Sequence, residues 1–216
     1  MKRLLILLII SIPFFACSQQ KESLKEKFSD YFLIGATINQ QDYQIIDKDD
    51  RVLKIVSEDF NSVTPENSMK WMHSHPEYSK FTFSNAQKIV DFAKENDMYL
   101  LGHTLVWHNQ VPDYLSDIQD SIKFNRHLKN HIFQLVTRFK NKVDMWDVVN
   151  EALNDDGSLR ETIFLKMIGE NYIEKAFQYA NESDPNVALA YNDYNLYKPK
   201  KINKEQVDSF IEEEIF

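Results

Sequence analysis

Two carboxylic acids in this sequence stand directly beside carboxamides: Glu66-Asn67 and Asn150-Glu151. Lys70 follows the first pair closely. Between the pairs lie His103, Trp107 and His108, and Asn192-Asp193 comes later. A carboxylic acid placed at the end of an apolar run can serve as a general acid or base. Carboxamide, ammonium and imidazole groups offer donors and acceptors in fixed places. Tryptophan offers a flat apolar face. Together these are what a carbohydrate site needs, because a sugar ring presents hydroxyls at its rim and C–H groups on its faces.

Two other readings compete. A glutamate after a strand can simply cap the next helix, and for Glu151 alone that reading stays open. Metal binding is the rival for the histidines. His127 and His131 are four apart on a helical stretch, but Leu128, Lys129 and Asn130 lie between them. The glutamate of a zinc-protease helix is missing there. His73 and His75 read as loop residues, and His127 and His131 as partly buried residues of a surface helix. Neither a metal nor a cofactor is expected.

These residues need elements that hold them. Val143 to Val149 is a short apolar run rich in Val, with Trp146, and reads as a buried strand ending in Asn150-Glu151. Phe32–Ile38, Phe60–Val63, Met98–His108 and Val187–Asn195 read as further strands. Helices are expected over Asp47–Ser57, from Ser84 as cap, over Ser121–Lys140, over Glu161–Asn181 and from Asn203 to Phe216. In Ser121–Lys140 one stripe carries Phe124, Leu128, Ile132, Leu135 and Phe139. Strand and helix thus alternate five times, which implies parallel strands joined by right-handed crossovers. The chemistry-bearing residues gather at the strands' C-terminal ends, the ligand face of both open and closed α/β sheets. No glycine-rich phosphate loop follows a strand, and the chain holds only four glycines. That removes the main support for a nucleotide-binding open sheet and favours a (β/α)₈ barrel.

The chain has 216 residues and a net charge of −8, with 43% apolar residues, enough for one real core. The acidic balance argues against nucleic acid as a partner. Residues 1–17 have a secretory layout: Lys2 and Arg3, then an apolar run from Leu4 to Ile12, then Phe14-Phe15-Ala16-Cys17. Such a run is too short to span a bilayer comfortably. Cys17 is the sole cysteine, so this chain can form no internal disulfide. The segment resembles a bacterial lipoprotein signal, with Phe14 where Leu is usual. It implies lipid on Cys17 and anchoring in the bacterial cell envelope; an ordinary cleaved signal, hence secretion, is the alternative. Residues 18–27 read as a polar tether and 28–216 as the catalytic domain.

Four stretches together resemble glycoside hydrolase family 10: Glu66-Asn67-Ser68-Met69-Lys70-Trp71, Gly102 to Gln110, Trp146 to Ala152, and Asn192 to Asn195. Their order and gaps fit from about Phe28 to Tyr197. Thr37 and Tyr114 depart from the residues the family favours, Ala and Trp, and neither is expected to touch the chemistry. The family consists of endo-1,4-β-xylanases on a (β/α)₈ barrel, of which this chain would hold about the first five β/α units. The resemblance implies that Glu151 is the acid/base and that Asn150 binds the 2-hydroxyl at the cleaved bond. Glu66, Asn67, Lys70, His103 and Trp107 would line pockets on the non-reducing side, with His108 in support. The substrate would be xylan and xylo-oligosaccharides, and the enzyme a monomer.

The family retains configuration, which requires two carboxylates about 5–5.5 Å apart. Its nucleophile sits in a Thr-Glu-Leu-Asp-like motif on the seventh strand, and no such motif occurs here. The Glu212-Glu213-Glu214 run reads as a solvated helix face. The expectation is therefore the N-terminal part of a xylanase, inactive by itself. A non-catalytic xylan-binding lipoprotein, an inactive remnant and a related glycosidase such as a cellulase are the alternatives.

Overall fold

The computed structural model describes residues 22–39 and 51–195. It opens with one helical turn, α1 (Leu24–Lys27), where the sequence suggested tether. Ser23 and Glu26 form a reciprocal capping box that satisfies the first free N–H groups of the turn. The Leu24 N–H reaches the Asp59 carboxylate, and Lys25 Nζ donates to the Ser57 carbonyl.

Five strands follow: β1 (Gly35–Ile38), β2 (Ser62–Pro65), β3 (Tyr99–Trp107), β4 (Met145–Asn150) and β5 (Ala188–Asn192). They form one parallel sheet in the order β1-β2-β3-β4-β5. Each new strand adds beside the last, with no reversal of order. An open doubly wound sheet reverses its strand order at a switch point, whereas a barrel does not. The topology therefore agrees with the barrel expectation.

Between the strands run α2 (Arg51–Asp59), the short α3 (Trp71–Ser74), α4 (Ser84–Glu95), α5 (Ser121–Arg138), α6 (Ile163–Ile168) and α7 (Tyr172–Ser183). The expected stripes are buried: Ala86, Ile89, Val90 and Ala93 on α4, and Phe124, Leu128, Ile132 and Leu135 on α5. Apolar residues at i, i+3, i+4 and i+7 line one helix face, so burying that face against the sheet removes them all from water.

Several boundaries differ from expectation. Phe32 and Leu33 lie outside β1 and are half exposed. Ser84 is the first helical residue of α4; Phe83 occupies the cap position and no side chain caps it. Helix α5 starts at Ser121 as expected, capped by Asp120 accepting from the Lys123 N–H at 2.7 Å, and ends at Arg138, short of Lys140. The single helix expected over Glu161–Asn181 is two, because Gly169 at φ 92° ends α6. A left-handed residue cannot continue a right-handed helix, and glycine adopts it most cheaply. On α2 only Val56 is buried, while Val52 and Ile55 face outward. The helix expected over 203–216, and Cys17, lie outside the described residues.

The register positions the chemistry. Ile38 pairs with Pro65, so Glu66 emerges where β1 and β2 end together. Trp107 pairs with Asn150, and Asn150 with Asn192. Gly102 pairs with Trp146 across β3 and β4. A Cβ on Gly102 would lie 2.3 Å from Trp146 Cε3, well inside contact distance. Trp146 is fully buried, so its indole cannot swing out of the way. Gly102→Ala is therefore expected to destabilise the fold by about 1–3 kcal/mol through overpacking. At this chain length that corresponds to a Tm lower by roughly 2–4 °C per kcal/mol. Thermal melts of both proteins check it, and an unchanged Tm would contradict the packing argument.

Candidate active site

The ends of β2, β3, β4 and β5 bring the sequence-flagged side chains to one face. Asn150 is buried and Glu151 half-buried at the end of β4. Glu151 has φ 54°, so the chain turns sharply as it leaves the strand. Trp107 Nε1 donates to Glu151 Oε2 at 2.9 Å, which fixes the carboxyl against the β3 end. The Asn150 carboxamide is best oriented with its oxygen toward Trp107 Nε1 (3.2 Å) and its nitrogen toward the Asn192 carbonyl (3.2 Å). One indole N–H thus serves both the carboxyl and the carboxamide.

Lys70 lies within electrostatic reach of both carboxylic acids. Its ammonium stands 4.5 Å from the Trp107 ring centre and donates to Asn67 Oδ1 at 3.2 Å. Burial pulls Lys70 below the ordinary lysine range, and the carboxylates of Glu66 and Glu151 act in the opposite sense. An ammonium over an indole face, partly removed from water, gains cation–π attraction that a hydrated one would not. Asn67 Oδ1 also accepts from Gln110 Nε2 at 3.2 Å, and His73 Nε2 meets Gln110 Oε1 at 3.1 Å. Glu66 itself is exposed at the rim.

His103 sits one strand-turn deeper, with Nδ1 2.8 Å from Asp147 Oδ2. The buried Asp147 carboxylate accepts from that nitrogen, so Nε2 is the one left to meet a ligand. His108 lies beside the turn at Glu151, with Nε2 3.1 Å from Asn109 Nδ2. Burial lowers its proton affinity first and the Arg160 cation adds to that; Glu151 and Asp193 oppose both. The residues flagged for sugar chemistry and described here therefore gather toward the C-terminal ends of the strands, with His103 below the others. Gln110, Asp147, Arg160 and Tyr191 join them without having been flagged as site residues. Gln110 was visible as the tail of the His103–Gln110 stretch. Asp147 carried no local signal, since an aspartate inside an apolar strand reads as a strand edge.

Residues 23–213 match the glycosyl hydrolase family 10 model. The chain belongs to glycosyl hydrolase family 10. It is 44% identical over 207 residues to a Beta-1,4-xylanase of Dictyoglomus thermophilum, covering 93% of this chain and 56% of that one. It is 45% identical over 148 residues to Endo-1,4-beta-xylanase B of Thermotoga neapolitana, covering 68% of this chain and 43% of that one. The structure superposes on xylanase 10B from Thermotoga petrophila in complex with xylobiose with a TM-score of 0.83 at 37% identity, covering 89% of this chain and 60% of that one. The chain thus spans about half the length of the curated relatives it matches. Its five strands are part of the family's (β/α)₈ barrel.

Within this family 10 fold, two histidines read as partly buried are core residues. His131 is fully buried and stacks on Trp71 at 3.9 Å, with Nε2 3.1 Å from the Leu105 carbonyl. His127 is also buried, edge-on to the Tyr78 ring. Helical spacing puts both on the side of α5 that carries Phe124 and Leu128, and packing against α3 and β3 then closes over them. His73 lies in α3, and His75 at its end is fully buried, stacked on Phe81. Tyr114 completes the cluster. Its hydroxyl accepts from Trp71 Nε1 at 2.9 Å and lies 3.2 Å from His75 Nδ1. Burial pushes the Tyr114 phenol up to about 12, so it stays a neutral hydroxyl.

Burial holds His75 down to about 4, and His131 is lowered in the same sense. The unfolded chain protonates these rings near 6.5, before the folded chain does. Their contribution to stability is therefore fully present above about pH 6.5 and is lost as pH falls through about 4. Thermal melts from pH 7.5 to 4 should show Tm falling across that window. His75→Gln should flatten the slope, and an unchanged slope would remove His75 from the account.

Proposed function

We propose that this chain carries the acid/base and the glycone-side pocket of a retaining endo-1,4-β-xylanase. The observation that supports it most is the Trp107–Glu151–Asn150 array at the ends of β3 and β4, beside Lys70. It joins a carboxyl and a carboxamide through one indole N–H that lies within hydrogen-bond reach of both. The relatives from Dictyoglomus thermophilum and Thermotoga neapolitana are named xylanases.

In this reading Glu151 gives its proton to the glycosidic oxygen while the C1–O bond breaks and the electron pair goes to that oxygen. A second carboxylate forms the new bond to C1 from the opposite face; none of the described residues is assigned that part. Glu151, now ionised, then takes a proton from water, whose oxygen displaces the sugar from that carboxylate. Asn150 binds the sugar 2-hydroxyl, a contact that strengthens as charge develops at C1. Lys70, Asn67 and His103 bind hydroxyls of the preceding sugars, Glu66 accepts from one at the rim, and Trp107 supplies the apolar wall. His108 supports Glu151 from behind.

The test uses leaving groups of different acidity on the complete enzyme. Glu151→Ala should lower kcat/KM on xylan by about 10²–10⁴-fold, the usual worth of a positioned acid. The dinitrophenolate of a 2,4-dinitrophenyl xylobioside departs without a proton, so kcat/KM on that substrate should fall far less. Equal losses on the two substrates would take the acid role from Glu151.

Export and anchoring belong to the same proposal. Lys2, Arg3, the Leu4–Ile12 run and Phe15-Ala16-Cys17 support lipidation of Cys17. Stable anchoring takes more than one acyl chain. Wild type should sediment with membranes after cell fractionation, and Cys17→Ser should not. Identical soluble partitioning of both would rule the anchor out.

A further inference from the structure

We infer that Arg160 is a positioning residue for the Glu151 carboxyl, holding the strained turn that aims it; this rests on the acid/base reading above. After Glu151 the chain makes a small hairpin. Leu153 bridges Leu159, the Asn154 N–H donates to the Ser158 carbonyl at 2.9 Å, and the Gly157 N–H donates to the Asn154 carbonyl at 2.9 Å. Gly157 at φ 85° closes the turn, a conformation glycine adopts freely. The hairpin returns the chain to its start, where the Arg160 N–H donates to the Ala152 carbonyl at 2.7 Å.

The guanidinium then reaches past its own strand. Nε donates to the Glu151 carbonyl at 3.1 Å, Nη2 to the Leu153 carbonyl at 3.0 Å, and Nη2 also to Tyr194 Oη at 3.0 Å. Two carbonyls flanking the turn are therefore held by one planar, permanently charged fork. Lysine could satisfy one of them but not both in fixed geometry. On the other side, the Glu151 N–H donates to the Asn192 carbonyl at 2.8 Å and the Ala152 N–H to Tyr191 Oη at 3.1 Å. Arg160 thus ties the turn to the Tyr194 side of β5 while β5 itself holds the N–H groups.

The Trp107 contact holds only the tip of the Glu151 side chain, so loss of Arg160 would leave that contact available while the backbone turn that aims the carboxyl drifts. A misplacement of about 1 Å can cost about 10²-fold in rate. Drift harms only the step that needs a proton delivered along one line. The readout is therefore leaving-group dependence in the complete enzyme, with Glu151→Ala as reference. Arg160→Ala should lower kcat/KM on xylan by about 10–100-fold and leave kcat/KM on 2,4-dinitrophenyl xylobioside nearly unchanged. Arg160→Lys, the milder variant should Arg160→Ala fail to fold, should show the same selectivity with a smaller loss. Equal losses on both substrates, or no loss on xylan, would overturn the positioning role. A Glu151→Ala reference that loses both substrates equally would instead overturn the acid/base reading beneath it.

Discussion

Glu151 leaves β4 in the left-handed region, which costs a non-glycine residue about 1–2 kcal/mol. Every main-chain polar group of the turn from Glu151 to Leu153 has a partner that offsets this. The N–H groups go to Asn192, Tyr191 and Asp193, and the carbonyls to Arg160. At about 1 kcal/mol net per hydrogen bond, six such bonds outweigh the strain. Satisfying only some of them would leave buried groups unpaired, so the turn forms as a unit or not at all. It throws the carboxyl sideways toward Trp107 rather than onward along the strand.

That turn depends in turn on register. Parallel pairing places Trp107, Asn150 and Asn192 in one row across three strands. A slip of one residue would point each of these side chains to the opposite face. The register is secured below the site by packing: Trp146 lies over Gly102, where no other residue leaves room. The site and the core are thus one construction, with apolar contacts near the middle of β3 and β4 and polar ones at their ends.

The histidines divide along the same line. His108 stands at the rim with carboxylates nearby, and His103 just below it with a carboxylate partner. His75 and His131 lie beneath α3 among aromatic rings, where desolvation keeps them neutral. Residue type does not separate the groups. Burial does, because the free energy of charging an imidazole depends on the water it can keep.

Much was legible in the linear chain. Apolar runs marked β1, β3, β4 and β5, the strand-like Phe60–Val63 stretch overlapped β2 only in part, and helical stripes marked α4 and α5, because periodicity is fixed by backbone geometry alone. The pairs Glu66-Asn67 and Asn150-Glu151 at strand ends marked the rim. Boundaries were less legible: Gly169 split a helix whose apolar stripe runs on past it, and Ser84 lost its cap role to local backbone conformation. What the tertiary structure alone decided was partnership. Arg160 and Glu151 are nine residues apart and meet only because the 152–160 hairpin folds back; Asp147 and His103 meet only through strand pairing; His131 is buried only because α3 brings Trp71 over it. Such contacts are set by how separate elements pack, and a linear sequence states which faces seek burial without stating which face each will meet.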